Sequence, residues 1–399
     1  MLAIGFMLTD EQRTVIDAVE ELLRKLKPRQ EAYFKSIYDD QHYPDELWEH
    51  MSALGLFGAL VPEAYGGSGL GLLAMTLAME RFAAHGLGNV LAVLTTMDAM
   101  AILRGGTEAQ KRRFLPAIAE GKLRMAFAIT EPDAGTNSFR MRTLARKDGS
   151  VYRLSGRKAW ITGADRADYV LVVARTIPYE EVIAQGLRER YGMGLFLVDT
   201  KAEGLSMQAM ETVGIEGFRQ FFLYLDDVEV PEDHRIGDEH DGAEVMFDAL
   251  NPERILFAAK GVGMTEYALA RAAEYAKARR VFGDTPIAAY QGVQHPLARL
   301  KVLQEAARML TYQAAEAFDR GRARSEVGLF ANMAKYLASE TAFEAIDRAI
   351  QTHGGNGFSK EYHLIRMMAP ARLMKTAPIN NEMVLNYIAE RALGLPRSY

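Results

Sequence analysis

Cysteine is absent from the 399 residues, which excludes disulfides, thiolate metal sites and a thiol nucleophile and fits a reducing compartment, so a cytoplasmic location is the expectation. Neither sign of charge is in large excess. The 47 basic and 52 acidic side chains leave a formal −5, massed in no one segment. No nucleic-acid footprint is present, and an acidic ligand must be met by local sites. Long hydrophobic runs are missing too: the longest, Gly88 to Leu103, falls short of the roughly 20 residues a spanning helix needs and contains Asp98, so it reads as a buried helix with no membrane span. Met1 to Leu8 has apolar residues but no basic stretch, and Thr9-Asp10-Glu11 follows at once, so neither a signal nor a transit peptide is expected.

What is present is enough apolar residue, 49%, for more than one core, and a length that calls for two or three domains. From Thr9 to about Lys122 the pattern is helical, with Thr9 able to cap a first helix, Asp45 to Leu54 forming another, and the turn Pro62-Glu63-Ala64-Tyr65-Gly66-Gly67 separating two more. From Met125 short β-rich runs take over, among them Tyr152 to Ser155, Tyr169 to Ala174, Gly194 to Val198 and Phe221 to Val230. Beyond Pro231 helical spacing returns, with one stripe through Leu297, Leu300, Leu303, Ala307, Leu310 and Ala314 and another through Phe330, Met333, Leu337 and Thr341. The expected architecture is α+β and multidomain: an N-terminal α-helical domain over 1–122, a small β-barrel or sandwich over 123–231, and a C-terminal four-helix bundle over 232–399.

Three stretches could carry chemistry. Phe127-Ala128-Ile129-Thr130-Glu131-Pro132-Asp133-Ala134-Gly135-Thr136-Asn137, with Trp160-Ile161-Thr162-Gly163 after it, offers amides, hydroxyls and an aromatic plane to a polar ring or phosphate; by residue type alone it reads first as an ordinary turn and a core tryptophan. Arg279-Arg280-Val281-Phe282-Gly283, with Tyr290-Gln291 downstream, could clamp a phosphate or place surface charge at a helix end. Gln351-Thr352-His353-Gly354-Gly355-Asn356-Gly357-Phe358 closes a helix with glycines that permit close approach of a ligand.

In this order and at these spacings the stretches, together with Tyr65-Gly66-Gly67, resemble the acyl-CoA dehydrogenase family along nearly the whole chain. The resemblance implies FAD held by the middle β domain and the C-terminal bundle, in a homo-oligomer, a tetramer with a dimer as the alternative, whose neighbouring subunit completes the adenine half. It implies flavin contacts from Phe127, Ile129, Thr130, Gly135, Thr136, Trp160, Ile161, Thr162 and Asn380, with Thr162 near the flavin N5. Arg279, Gln291, Gln351, Gly354 and Gly355 would reach the FAD of the adjacent protomer, and Thr136 and Arg254 would contact the CoA substrate. No metal is implied.

The implied reaction removes an α-proton from a CoA thioester while a β-hydride passes to FAD N5, and it needs one general base. In many family members that base is a Glu shortly after the Gly-rich segment; here Pro378 stands at its place, within Thr376-Ala377-Pro378-Ile379-Asn380. Isovaleryl- and long-chain-type relatives place the Glu before an Arg on another helix, as Asn251-Pro252-Glu253-Arg254-Ile255 does here, so Glu253 is the expected base. Asn251 would cap that helix, Pro252 would open it and Glu253 would lie in its first turn, which is also how an ordinary helix start reads. Glu382 is a rival, on what reads as the last helix. Proline has no N–H, so Pro378 also removes an amide that holds the thioester oxygen in relatives, leaving Ile379 as a substitute; Ala369-Pro370 replaces a common Arg-Asp. The products expected are an enoyl-CoA and electrons for an electron-transfer flavoprotein. Alternatives are a flavin-dependent oxidase or monooxygenase, a CoA-thioester desulfinase, or a catalytically silent FAD-binding protein.

Overall fold

The computed structural model describes residues 8–215 and 217–398. The expectation about Met1 to Leu8 therefore falls almost wholly outside the described residues. The chain runs helices, then strands, then helices, the order read from the sequence. The first helices are α1 (Asp10–Leu26), α2 (Gln30–Tyr38), α3 (Asp45–Ala53), α4 (Leu72–Ala84), α5 (Val90–Gly105) and α6 (Glu108–Ala119). Strands β1 (Met125–Ala128), β2 (Leu144–Asp148), β3 (Val151–Thr162), β4 (Tyr169–Arg175), β5 (Met193–Asp199), β6 (Leu205–Ala209), β7 (Gln220–Pro231) and β8 (Arg235–Ile236) follow, with the short α7 (Tyr179–Ala184) between β4 and β5. Then come α8 (Gly242–Ala278), the hairpin β9 (Arg280–Val281) and β10 (Thr285–Pro286), α9 (Gln291–Asp319), α10 (Arg324–His353), α11 (Met368–Leu373) and α12 (Asn381–Leu393).

These elements form two compact units that interleave along the chain. One takes Asp40–Gly69 and Val90–Glu253; the other takes Leu70–Asn89 with the described parts of Met1–Asp39 and Arg254–Tyr399. Helix α8 contributes to both, and the division falls between Glu253 and Arg254.

The first unit is built on a sheet in the order β6-β7-β3-β2-β4-β5-β8. One edge of β4 is shared along its length, β1 pairing in parallel with its first half and β2 meeting it at Arg175. Alternating strands deliver Ala126, Ala128, Tyr152, Leu154, Val170, Val172, Phe196, Leu223 and Val228 to one buried cluster, as the period of two requires. Helix α5 is buried throughout its middle, including Asp98, and is tied to β1 because the Thr95 hydroxyl donates to the Met125 carbonyl (3.2 Å) and accepts from the Met125 N–H (3.0 Å). No described helix is long and apolar enough to cross a membrane.

In the second unit α1 opens on a complete capping box, Thr9 and Gln12 each bonding the other's backbone N–H. Small residues let α8, α9 and α10 approach closely, with Ala258, Val262, Ala307, Ala334 and Ala338 sharing one core. Gly263 is demanded by this packing: a Cβ there would sit 2.2 Å from the Glu80 carbonyl of α4. The stripe expected on α10 is corrected in part. Thr341 is buried, but Phe330, Met333 and Leu337 are only half-buried, and the innermost face runs instead through Ala331, Ala334, Ala338 and Ala342. Alanine wins that face because the helix axes come close enough to leave no room for longer side chains.

Candidate active site

The turn after β1 is closed by reciprocal backbone bonds between Glu131 and Ala134 (3.1 and 3.2 Å). Its anchor is the Glu131 carboxylate, which accepts from the Arg142 and Thr143 N–H groups (2.7 and 2.9 Å) and from Lys158 Nζ (2.9 Å). Lys158 Nζ also donates to the Ile129 carbonyl (3.1 Å). Burial opposes ionisation of Glu131, but Lys158 and the amides outweigh it and hold its carboxyl below the usual range. Burial pushes Lys158 down to about 8 against the pull of Glu131. The pair fixes the expected flavin turn onto β3, and the Thr130 carbonyl accepts from the Ala159 N–H at 2.9 Å. Ile129, Thr130 and the Trp160–Thr162 segment are thereby brought together.

Within that segment the β3–β7 register shifts between Lys158 and Ile161, and Trp160 sits on the irregularity with φ 62°. A positive φ at a bulky residue is uncommon, and its effect here is to swing the indole out of the sheet, leaving it 53% exposed. Thr162 donates its hydroxyl to Gln220 Oε1 at 2.9 Å, and Ile161 points into the core, so only its backbone can serve a ligand. Phe127 is half-buried, while Gly135 and Thr136 are exposed, and a Cβ on Gly135 would meet nothing within 4 Å. An uncovered aromatic plane beside a turn of amides and hydroxyls fits an isoalloxazine ring.

Glu253 belongs to the same unit and is buried, 6% exposed. Its expected setting needs correction: Asn251 and Pro252 do not start a helix, because α8 begins at Gly242 and runs through them, placing Glu253 in the helix interior. The missing Pro252 N–H removes only one rung of a 37-residue ladder, and the buried sides of this helix outweigh that loss. A buried acid beside this site that sequence reading passed over is Asp98 on α5. It is fully buried, neither of its oxygens has a hydrogen-bond partner, and burial followed by the charge of Glu253 pushes its carboxyl well above the usual range. Its signal in the sequence is an acid inside an otherwise apolar run, which by itself argues only against membrane insertion.

The remaining expected residues lie in the other unit. Arg279 follows the end of α8, donates its N–H to the Tyr275 carbonyl (2.8 Å) and accepts from Ile287 (2.8 Å) at the base of the β9–β10 hairpin. Asn356 Nδ2 donates to the Tyr275 hydroxyl (3.0 Å) and His353 stacks on the Tyr275 ring, so the Gly354-Gly355 turn lies against Tyr275, about one helical turn before Arg279. Gln291, Gln351, Gly354 and Gly355 are exposed, and a Cβ on either glycine would meet nothing within 4 Å. Asn380 spends its side-chain carbonyl as the cap of α12, accepting from the Met383 N–H at 2.8 Å. Next to it Lys335, a second residue that sequence reading missed, donates to the Ile379 carbonyl (2.5 Å) and to Asn381 Oδ1 (2.6 Å), pinning the loop that carries Pro378. Burial, then the nearby Arg254 charge, push Lys335 down to about 8. Arg254 itself is half-buried.

Three family descriptions match in succession: acyl-CoA dehydrogenase N-terminal domain over residues 9–122, middle domain over 126–228 and C-terminal domain over 240–393. The acyl-CoA dehydrogenase FadE12 of Mycobacterium tuberculosis is 45% identical over 370 residues, 92% of each chain. The CarC subunit of the caffeyl-CoA reductase-Etf complex of Acetobacterium woodii is 34% identical over 342 residues, 84% of this chain and 86% of CarC. Butyryl-CoA dehydrogenase from Megasphaera elsdenii superposes with a TM-score of 0.88 at 32% identity, covering 97% of this chain and 99% of that one. The chain belongs to the acyl-CoA dehydrogenase family, FAD-dependent oxidoreductases that act on acyl-CoA.

Proposed function

We propose that this protein introduces a double bond between Cα and Cβ of an acyl-CoA thioester, with Glu253 as the general base that removes the α-proton. The observation that carries this reading is the burial of Glu253 on α8, set against Pro378 at the family's commoner base position. Burial strips water from the carboxylate and so favours proton transfer from a weak carbon acid. The FAD of this family, when bound, accepts the β-hydrogen with its electron pair. On this reading Phe127, Ile129, Thr130, Gly135, Thr136, Trp160, Ile161 and Thr162 hold the flavin ring and pyrophosphate, Ile161 through its backbone alone. Arg254 and Thr136 take the CoA portion, and the Ile379 N–H, on the loop that Lys335 pins, takes the place of the amide that Pro378 lacks. Arg279, Gln291, Gln351, Gly354 and Gly355 reach the cofactor of a second copy in a homo-oligomer. Their exposure supports that role, as does the Phe282 ring beside them at 96% exposure, an apolar group that water does not favour. Electrons then leave to an electron-transfer flavoprotein, the kind of partner named for CarC.

The test is anaerobic addition of straight, branched, cyclic and aryl acyl-CoAs to the yellow protein. Flavin bleaching by at least one of them is expected, slowed by about 10² to 10⁴-fold in Glu253→Gln. Bleaching at the wild-type rate in that variant removes Glu253 from its role. A second reading, an oxygen-using flavoenzyme or a desulfinase on the same scaffold, is favoured by Pro378 alone, and product formed only with oxygen present would select it.

A further inference from the structure

Buried carboxyls in folded proteins are met by cations, amides or water, and each exception asks for a reason. Asp98 is such an exception: it is fully buried, and neither oxygen has a hydrogen-bond partner. Packing within the sheet-bearing unit indicates what it faces. Gly105, the last residue of α5, abuts Val245 near the start of α8 so closely that a Cβ there would lie 2.8 Å from both valine methyls. Counting back along α5 from Gly105 to Asp98 covers about 10 Å, and counting forward along α8 from Val245 to Glu253 covers about 12 Å. The first count is close to two helical turns and the second runs about a fifth of a turn past two, so Asp98 returns to the contact face and Glu253 to its flank; for helices running antiparallel from that contact the two carboxyls are neighbours, in keeping with the charge of Glu253 acting on Asp98.

We propose that Asp98 and Glu253 form a carboxyl pair sharing a single proton, with Asp98 as the positioning residue that holds this proton while Glu253 stays ionised to act as the base. The proposal rests on the base assignment made above and adds what sets its protonation. Two carboxylates held together away from water cannot both ionise at modest cost, so one keeps its proton and the pair titrates as a unit. The asymmetry assigns the proton. Asp98 has no amide or cation to stabilise a charge, and of the titratable groups on α5 and the elements around it, including Arg104, Arg113 on α6, Arg235 on β8, and Asp248 and Arg254 on α8, only Glu253 bears on its protonation. A protonated Asp98 can donate its single O–H to Glu253 and fix that carboxylate's orientation. It leaves the pair with one negative charge to receive the substrate proton.

Infrared spectroscopy of the flavin-loaded protein, with and without ¹³C-carboxyl aspartate, tests this without depending on turnover. A protonated-carboxyl stretch is expected at neutral pH, shifted by the label and lost in Asp98→Asn. In Glu253→Gln the same band persists, but its loss on raising the pH moves to lower pH because the neighbouring charge is gone. Absence of the band in the wild type, or an unmoved titration in Glu253→Gln, overturns the pair. The glutamate variant keeps the test open if Asp98→Asn does not fold. Flavin bleaching by acyl-CoA is scored separately: a correct infrared titration without bleaching refutes the base reading and leaves the pair standing, whereas bleaching with an unmoved titration does the reverse.

Discussion

Glu80 and Asp98 are both fully withdrawn from water, one in each compact unit, and their surroundings are opposite. The Glu80 carboxylate, on α4, accepts from Arg81 (3.0 Å), Arg308 (3.0 Å) and the Tyr312 hydroxyl (2.9 Å). The same two arginines also grip Glu266 of α8, each at 2.7 Å. Asp98 has none of this; the group that bears on it is another carboxyl. A buried charge with its full set of partners is stable in one protonation state and holds helices in register. A buried acid left with only another carboxyl beside it keeps its proton, and the two titrate as a unit. The difference separates an ionic group that joins α4, α8 and α9 from an acid proposed to hold a proton beside the base.

The largest effect expected from breaking this contrast falls on Arg308, whose side chain is fully buried. Arg308→Leu keeps the bulk of the stem but deletes contacts to three buried or half-buried carboxylates, Glu80, Glu266 and Glu305, and stability should drop by about 3 to 5 kcal/mol, read as a lower urea midpoint. A loss under about 1 kcal/mol would show that Arg81 suffices for both acids and that the network is redundant.

A smaller effect is read by pH and has opposite signs in the two units. Burial opposes the charge of Glu266, but Arg81 and Arg308 overcome it and hold the carboxyl down at about 2, against an ordinary 4.5. With the folded value depressed, its contribution is complete above 4.5 and disappears as pH falls toward about 2. For Asp98 the folded value is raised above an ordinary 3.8, so its contribution is complete below 3.8 and is lost as pH rises through that value toward the folded one. Urea midpoints across acid and neutral pH should therefore fall less steeply on acidification in Arg308→Leu than in the wild type. In Asp98→Asn they should lose part of the decline seen on raising the pH. Parallel curves for all three proteins would show that neither acid is linked to folding.

How much of this could be read from the chain follows from range. The Thr9 capping box, the strands and the glycine stop after His353 are set by neighbours within a few residues, and each stands where the spacing placed it. Asn251-Pro252-Glu253 carries the local marks of a helix start, yet long-range burial on both sides of α8 overrides them. The Glu80–Arg308 contact spans 228 residues, and no local pattern announces it. Asp98 and Lys335 were visible only as polar interruptions of apolar faces, and a polar interruption does not say what it meets. For the flavin turn, residue types alone favour an ordinary turn and a core tryptophan over a ligand cradle; the exposed Trp160 ring on its β-irregularity and the Glu131–Lys158 anchor turn the balance toward the cradle.

A third carboxyl, held by backbone amides on an otherwise exposed residue, lies between the two extremes and gives the smallest effect. Asp319, at the end of α9, accepts from the Leu72 and Leu73 N–H groups (2.6 and 2.9 Å) and so closes the N-terminus of α4. Its acceptors face backbone donors and a helix dipole, weaker partners than guanidinium, and burial outweighs those amides, raising its carboxyl above the usual range. Gly71, just before the helix, has φ 92° and could not take a Cβ, which would come within 2.6 Å of this carboxylate. Asp319→Asn keeps one acceptor oxygen and the shape but loses the charge that answers the dipole. Stability should fall by about 1 kcal/mol, against the several expected at Arg308. A loss as large as that at Arg308 would mean that backbone amides stabilise a carboxylate as well as guanidinium does, and ion pairing would no longer distinguish Glu80 from Asp98.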